Sequence, residues 1–352
     1  MNKITKILLV LLSAGSLSLS AIAGELTVTG GVTASMVQGD DQAMGGKGLG
    51  ISNEIDFTAN GELDNGYTWK WQAQMDGATN LNDDTRLELT TPMGAVAMYI
   101  SEGDLSSKLG YGIGAMGPGS DYHSTHTAAT GALIWGTNMG SYNNIQVHTP
   151  AGLLPFDGSV KVGYAPNLAD GAGASAKAAG AHETLAVGDD FTQVKVTATP
   201  MEGLNVGADY ATASSPVSTT RYKHESAGAF VKYTIGAVAV GVAKSGYQPI
   251  SGQADTSANA YEADMYGVQF AINDQLSISV SQEKFKSSAS NAMASTGVRT
   301  ITEDVNMKSD HIQAAYVVGG ATLGVARVQT DNDDFVKNRD ATKTTFTVGL
   351  AF

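Results

Sequence analysis

Apolar and polar residues alternate with a period of two over most of this chain. Because successive side chains of a β-strand point to opposite faces, the alternation predicts strands that have one apolar and one polar face. Turn sequences separate about 16 such strands; Asp64-Asn65-Gly66, for example, contains the Asn-Gly pair that favours hairpin turns. The predicted strands are 26–37, 51–63, 67–75, 86–91, 95–101, 142–149, 158–165, 191–199, 204–213, 225–234, 237–245, 261–272, 276–284, 305–318, 321–330 and 341–352.

The connections between these strands alternate in length: seven are short, and eight are longer and polar. In an antiparallel sheet alternate connections lie at opposite ends, so the long loops are expected at one end. Sorted loops and strands of about ten residues are typical of a β-barrel that crosses an outer membrane. Closure of the sheet leaves no unpaired strand edge in the lipid. We therefore predict an all-β protein, a transmembrane antiparallel β-barrel of about 16 strands, as a single domain over residues 24–352.

The longest connection, residues 102–140, is rich in Gly, Ser and Thr. A loop of this length inside a compact domain is usually functional. A closed barrel of about 16 strands encloses an aqueous channel unless a segment enters it. We predict that residues 102–140 fold inward and narrow the channel.

The first 23 residues have the pattern of a cleaved signal peptide. Lys3 and Lys6 precede a short apolar stretch, and Ala21-Ile22-Ala23 forms a small-residue cleavage site. Cleavage lowers the count of Lys and Arg from 21 to 19 against 34 Asp and Glu, so the net charge of the mature chain is −15. The absence of cysteine excludes disulfides and thiolate metal sites. The strong negative charge argues against binding to nucleic acid.

Charged residues recur on the polar faces of the predicted strands and in the long loop. If the face opposite Trp69 and Trp71 lines the interior, these residues lie around the channel, where opposed charges across a narrow aqueous gap select ions by sign. The alternative is a solvated polar face without a role in selectivity. The candidate pore-lining residues are Glu54, Asp56, Lys70, Arg86, Glu88, Lys161 and Lys195 on the wall, and Glu102, Asp104, Lys108 and Asp121 in the loop.

Aromatic residues near predicted strand ends or on outward faces suggest the girdles found at membrane interfaces. They are Tyr67, Trp69, Trp71, Tyr99, Tyr164, Tyr210, Tyr233 and Tyr316. An acidic run in the last long connection is a weak candidate Ca²⁺ site, with a solvated loop tip as the alternative. The possible ligands are Asp331, Asp333 and Asp334.

Five stretches, in their order and spacing, resemble the 16-stranded general porins of Gram-negative bacteria, in particular the α- and β-proteobacterial type. They are ELTVTGGVTAS (25–35), GELDNGYTWKWQ (61–72), RLELTTPMGAVAMY (86–99), YNNIQVHTP (142–150) and TFTVGLAF (345–352). The resemblance implies an outer-membrane homotrimer in contact with lipid and lipopolysaccharide, with a third external loop that bends into the barrel. It also implies that Phe346, Val348, Leu350 and the terminal Phe352 form the signal for the barrel-assembly machinery. Two arginines common in that family, at the end of the fifth strand and shortly before Asn144, are absent here.

These features predict passive diffusion of ions and small hydrophilic solutes, with a preference for cations and without a cofactor or a chemical step. Two alternatives are an enzyme built on an outer-membrane barrel and a surface adhesin rich in β-structure. An enzyme would need a nucleophile and a base on the rim or the outward face, and the sequence shows no motif for such a pair.

Overall fold

In a computed structural model, 16 strands form one closed antiparallel barrel and two more form a separate hairpin. The structure describes residues 25–39, 46–76, 84–100, 102–107, 139–166, 190–213, 224–248, 261–287, 291–294, 297–300, 305–333 and 337–352. The strands are β1 Leu26–Gly39, β2 Gly46–Glu62, β3 Thr68–Asp76, β4 Thr85–Thr91, β5 Gly94–Ile100, β6 Asn144–His148, β7 Ser159–Ala165, β8 Phe191–Met201, β9 Leu204–Ala213, β10 His224–Ile235, β11 Val238–Gln248, β12 Tyr261–Ala271, β13 Leu276–Ser287, β14 Asn291–Ala294, β15 Gly297–Thr300, β16 Met307–Val318, β17 Ala321–Asp331 and β18 Ala341–Ala351. A short 3-10 helix, Met139–Ser141, precedes β6.

Each barrel strand pairs with its neighbours in the chain, and β14 and β15 form a hairpin within the connection from β13 to β16. The first and last strands close the barrel, with pairs from Gly31 opposite Ala351 to Gly39 opposite Lys343. Two backbone hydrogen bonds between Gly30 and Phe352, of 2.8 and 2.9 Å, extend this seam. The prediction of a closed barrel of about 16 strands with long and short connections at opposite ends is confirmed.

Two features differ from the sequence prediction. Strand β2 begins at Gly46, inside a stretch predicted to be a loop, because residues 46–50 continue the ladder with the end of β1. The β14–β15 hairpin was not predicted, since its four-residue strands are too short to show a clear alternation. The predicted signal peptide lies outside the described residues. No helix in the described part of the chain is both long enough and apolar enough to cross a membrane.

The strand register separates an apolar outward face from a polar interior face. Outward residues keep large exposed fractions, for example 74% for Ile51, 47% for Phe346 and 49% for Leu350. On the other face, the side-chain amides of Gln72 and Gln74 donate hydrogen bonds to Asp56. This arrangement agrees with the predicted outward face of Trp69 and Trp71.

Tyr99 is the exception among the predicted girdle residues. It pairs with Arg86 across β4 and β5 and therefore lies on the interior face, where it is 5% exposed. The prediction was wrong because almost every residue of β5 is apolar, so the sequence does not show which set of alternating positions faces outward. Met98, 54% exposed, is the outward residue.

Close packing at the barrel seam leads to a testable prediction for Gly30. A Cβ atom at Gly30 would approach the carbonyl oxygen of Glu54 to 2.5 Å and the Phe352 ring to 2.9 Å. We expect Gly30→Ala to lower the free energy of unfolding by about 1–3 kcal/mol, as overpacking does elsewhere. Urea unfolding of the assembled barrel measures the change. Gly48→Ala is the matched control, because a Cβ atom there meets no atom within 4 Å. Equal stability of the two variants would contradict the prediction.

Candidate pore constriction

The segment 102–107 leaves β5 and lies inside the barrel. Leu105, 1% exposed, packs in a buried cluster with Met139 and with interior residues of β8 and β9, among them Phe191 and Ala211. Together with the short helix at Met139, the segment places both described ends of the long connection against the inner wall. The prediction that this connection folds inward is confirmed for those ends. Residues 108–138, including the candidates Lys108 and Asp121, lie outside the described residues.

Interior amides of β6 hold the two ends of the connection together. The side-chain amide of Asn144 donates hydrogen bonds to the carbonyl oxygens of Glu102, Met139 and Tyr142, at 2.9, 3.2 and 2.8 Å. The side-chain amide of Gln146 donates to the carbonyl oxygen of Gly103 at 2.6 Å. These carbonyl oxygens lie inside the protein but outside regular secondary structure, so they need hydrogen-bond donors from side chains. Strand β6 therefore fixes both described ends of the connection to the barrel wall.

Residues of β8 and β9 bind the inner part of the same segment. The backbone amides of Ser107 and Met139 donate to Asp209 Oδ1 at 2.6 Å and to Gln193 Oε1 at 3.1 Å. Gln193 also donates to Asp209 Oδ2 at 3.0 Å, and Lys195 Nζ donates to the carbonyl oxygen of Ser106 at 2.8 Å. The segment is thus fixed to the wall at β6, β8 and β9, which defines its position inside the barrel.

Glu102 and Arg86 form an ion pair with 3.0 Å between Arg86 Nη1 and Glu102 Oε1. Arg86 also donates to Gln72, and Gln72 donates to Asp56 at 3.0 Å. The sequence prediction sets wall charges and loop charges opposite each other across a gap, and for Arg86 and Glu102 this is wrong, because their side chains are in direct contact. Arg86 pairs with Tyr99 near the end of β5, so Glu102 is beside it. Burial raises the pKa of the Glu102 carboxyl above its ordinary value, and the nearby guanidinium of Arg86 offsets only part of that effect.

The other wall candidates share the interior face. Lys70 pairs in register with Glu88, and Lys161 pairs with both His148 and Lys195. Glu54 lies on the same face of β2 as Asp56, because the two are separated by one residue. Asp104, an exposed residue, accepts hydrogen bonds from the backbone amide and the hydroxyl of Ser106 at 2.7 and 2.6 Å. Their contribution to ion selectivity stays a prediction.

Four residues that hold the segment were not among the candidates from the sequence: Asn144, Gln146, Gln193 and Asp209. Each occupies a polar position of an alternating strand, and Asp209 lies between the outward Ala208 and Tyr210. This signal places them inside the barrel. It does not show that they bind a segment distant in sequence, because alternation contains no information about loops.

The candidate calcium ligands lie at the end of β17 and in the loop that follows. Asp331 pairs in register with Lys308, and Asp333 is buried, whereas Asp334 is outside the described residues. Within the ranges that the structure describes, no group of three or more His, Cys, Asp or Glu residues could hold a metal ion. Calcium binding stays a prediction.

Solved structures that share this fold include porins and other outer-membrane proteins. The chain is 15% identical to a porin refined at 1.8 Å resolution, covering 93% of this chain and 100% of that one with a TM-score of 0.63. It is 11% identical to an anion-selective porin from Comamonas acidovorans, with 94% and 100% coverage and a TM-score of 0.65. It is 13% identical to OmpT in a trimer form, an outer membrane protein of Vibrio cholerae, with 94% and 100% coverage and a TM-score of 0.62. No protein-family model and no curated protein matches the chain. The fold is that of a 16-stranded porin barrel.

Proposed function

We propose that the protein is an outer-membrane porin, a water-filled channel for passive diffusion of ions and small hydrophilic solutes that prefers cations. The observation that carries this proposal is the segment 102–107, which is held inside a closed barrel by side chains of the wall. A 16-stranded barrel is wide enough to enclose an aqueous lumen, and a segment inserted into it narrows that lumen. The fold shared with solved porins supports the same function.

This arrangement favours a channel over the two alternatives. An adhesin has no use for polar contacts that position a segment inside the barrel. An enzyme would need a nucleophile and a base within hydrogen-bond distance of each other. Diffusion through the lumen needs neither a chemical step nor a cofactor, and we propose neither.

The charges beside the segment support a preference for cations. Arg86 is paired with Glu102, and Lys195 lies beside Asp209, so these four charges largely cancel. Among the described residues, the carboxylates of Asp56 and Glu88 and the amine of Lys70 lie close enough to act on Glu102, Asp104 belongs to the segment, and Lys161 lies opposite His148 on the interior face. The mature chain is also strongly acidic. Because a porin of this fold from Comamonas acidovorans is anion-selective, the sign of the preference depends on lumen side chains and not on the fold.

Planar-bilayer recording tests the proposal. We expect the protein to form open channels whose reversal potential in a KCl gradient shows that potassium is preferred over chloride. Preference for chloride would contradict the proposed sign, and the absence of channels from correctly folded barrels would contradict the function itself.

The raised pKa of Glu102 predicts a pH dependence of this preference. Because the pKa of Glu102 is raised, its carboxylate binds a proton more readily than an ordinary glutamate does. When the pH is lowered, Glu102 therefore becomes neutral before ordinary glutamates do. The charge of Arg86 is then no longer balanced by Glu102. We therefore expect the cation preference to fall on acidification, at a pH that is still above the range in which ordinary glutamates titrate. Reversal potentials measured from pH 8 to pH 4 show this step. It should be missing in Glu102→Gln, whose profile should change only with the remaining carboxylates; identical profiles for both proteins would contradict the assignment.

We also propose that the protein is a homotrimer. Strands β4, β5, β6 and β7 have 7, 7, 5 and 7 residues. A tilted strand needs about 9–11 residues to cross the hydrocarbon core of a bilayer. This part of the wall is therefore shorter than a membrane is thick, and its outward residues, such as Met98 and Val147, are apolar and exposed. Contact with a second and third copy would shield it from lipid. Light scattering in detergent measures the assembly, and a monomer would contradict the proposal.

The two termini support a proposal for export and for assembly of the barrel. We propose that residues 1–23 direct export and are cleaved, and that the barrel-assembly machinery recognises the outward row Phe346, Val348 and Leu350 together with Phe352. These residues form an exposed apolar row along the last strand, with exposed fractions of 47%, 45%, 49% and 68%. Lipid and lipopolysaccharide of the outer membrane would then surround the part of the barrel that other copies do not cover.

A further inference from the structure

Strand β6 presents three polar side chains in a row on the interior face of the barrel. Asn144, Gln146 and His148 occupy alternate positions of the strand, and side chains at alternate positions point to the same face. Asn144 and Gln146 are buried, with 3% and 1% of their surface exposed, whereas His148 is only partly buried. His148 is also the last residue of β6, towards the end of the barrel with the short connections. The row therefore extends from the two described ends of the long connection to a partly accessible imidazole.

The hydrogen bonds along this row form one continuous chain. The imidazole Nε2 of His148 lies 2.9 Å from Gln146 Oε1. Gln146 Nε2 donates to Asn144 Oδ1 at 3.0 Å and to the carbonyl oxygen of Gly103 at 2.6 Å. Asn144 Nδ2 donates in turn to carbonyl oxygens at both described ends of the connection. Among the described residues, Gln146 is the hydrogen-bond partner of the His148 imidazole.

The backbone carbonyls determine the direction of every hydrogen bond in the chain. A carbonyl oxygen can only accept, so Asn144 must turn its amino group towards the connection, and its own oxygen accepts from Gln146. Both protons of the Gln146 amino group are then used, on Gly103 and on Asn144. Gln146 Oε1 therefore accepts, and His148 Nε2 must carry the proton that it receives. Nε2 is protonated in one neutral tautomer of histidine and in the charged form.

Gln146 depends on this donor because it is almost fully buried. Water has little access to its oxygen, and a buried acceptor without a donor is unfavourable. Without a donor at position 148, either orientation of the amide is unfavourable. Oε1 stays without a proton in the first orientation, and it faces the carbonyl oxygen of Gly103 in the second. Both costs are relieved when the segment 102–107 moves away and water enters, so loss of the donor favours detachment of the segment.

The fit at Gly103 shows how closely the segment lies on this row. Gly103 has a backbone φ of +90°, a conformation that favours glycine. A Cβ atom at this position would collide with Gln146 Nε2 and would approach the Tyr99 ring to 2.9 Å. The Tyr99 ring also lies beside His148, with 6.5 Å between the ring centroids. His148 thus has two kinds of contact with the groups under the segment, a hydrogen bond to Gln146 and a ring contact with Tyr99.

We propose that His148 is a positioning residue of the constriction, which holds the segment 102–107 against β6 through Gln146 and Asn144. The inference rests on the proposed channel function, because the position of the segment matters where the segment narrows a lumen. The charged groups that act on the imidazole are Lys161 on β7 and Glu88 on β4. Since the neutral tautomer and the charged form both have a proton on Nε2, the chain of hydrogen bonds is the same in either form.

Two substitutions separate the donor from the ring. His148→Phe keeps an aromatic ring beside Tyr99 but has no donor, whereas His148→Gln loses the ring but keeps a donor at similar reach. Hydrogen exchange of the folded proteins in detergent measures the backbone amides of residues 103–106. We expect exchange to be roughly tenfold faster or more in His148→Phe and within about twofold of the wild-type rate in His148→Gln. Amides of β12 and β13, on another part of the wall, should exchange at the wild-type rate in both variants.

Either of two results would overturn the proposal. One is exchange within about twofold of the wild-type rate in the variant without a donor. The other is equally fast exchange in His148→Gln, which would assign the effect to the ring. If His148→Phe does not close into a barrel, His148→Met replaces it, because methionine has nearly the length of glutamine and no donor.

A double variant tests whether His148 acts through Gln146. Gln146→Leu removes the donor to Gly103 directly and should accelerate the same exchange. Adding His148→Phe to Gln146→Leu should then change the rate by less than about twofold, since the two residues belong to one chain of hydrogen bonds. A further acceleration of roughly tenfold would mean that His148 acts by another route, against the proposal.

Single-channel recording gives a second readout. We expect brief changes in current to be roughly fivefold more frequent or more in His148→Phe and as rare as in the wild-type protein in His148→Gln, because a loosened segment moves within the lumen. Faster exchange in a protein that forms no channels would contradict the channel function and support the positioning role. Open channels with unchanged exchange in His148→Phe would contradict the positioning role alone.

Discussion

Deletion of residues 112–130 is expected to raise the single-channel conductance several-fold and to admit larger sugars. The wall of a 16-stranded barrel encloses a wide lumen, and the described segment 102–107 shows that the connection containing the deleted residues enters it. We propose that the middle of this connection narrows the channel, so its removal should widen the channel while the anchored ends stay in place. Planar-bilayer recording measures the conductance, and swelling of liposomes in sugars of increasing size measures the exclusion limit.

The deletion should not prevent folding, because the described contacts that fix the two ends of the connection to the wall are outside the deleted residues. Asn144 and Gln146 bind its two ends, and Asp209 binds Ser107. Mobility on gels with and without heating in detergent reports whether the barrel has closed. Deletion of 171–182, from the connection between β7 and β8, is a control of similar kind in another long connection. Unchanged conductance of a closed 112–130 deletion would mean that these residues do not restrict the channel, and an equal increase in the control would mean that loop length alone matters.

The sequence predicts the barrel well because lipid and water act on opposite faces of the same strand. In β18, for example, Phe346, Val348 and Leu350 alternate with Thr345, Thr347 and Gly349, and the observed strand ends within one residue of the predicted one. Where both faces are apolar, as in β5, alternation cannot assign the faces, and Tyr99 was placed on the wrong side. The prediction thus depends on a contrast between the two faces and not on strand propensity.

The contacts of the constriction were less predictable than the wall. Alternation places Arg86 and Asp209 inside the barrel, but their partners are determined by the path of the long connection. Glu102 meets Arg86 because the chain leaves β5 beside it, and Ser107 meets Asp209 because the segment reaches β8 and β9. Neither path follows from a local pattern, since Gly, Ser and Thr permit many backbone conformations. A charge count along the sequence therefore cannot show which charges cancel.

Arg86→Glu and Lys70→Glu are expected to raise the cation preference in similar measure but to differ in stability. Each substitution changes the charge of the lumen wall by −2, and both residues lie on the interior face. Arg86 is paired with the partly buried Glu102, with 26% and 23% of the two side chains exposed. Its replacement leaves two carboxylates in contact, at a cost of about 1–3 kcal/mol, less than for a fully buried pair because water reaches both groups. Lys70 has no ion pair among the described residues, so its replacement opposite Glu88 should cost under about 1 kcal/mol.

Reversal potentials and urea unfolding on the same preparations separate the two effects. The double variant Arg86→Gln/Glu102→Gln is the decisive control, because it removes both members of the pair and leaves the net charge unchanged. We expect its selectivity to be close to that of the wild-type protein and its stability to exceed that of Arg86→Gln alone, since Glu102 is then no longer buried without its partner. If Arg86→Leu instead stabilised the barrel and left selectivity unchanged, Arg86 would face lipid, and the interior face assigned to β3 and β4 would be wrong.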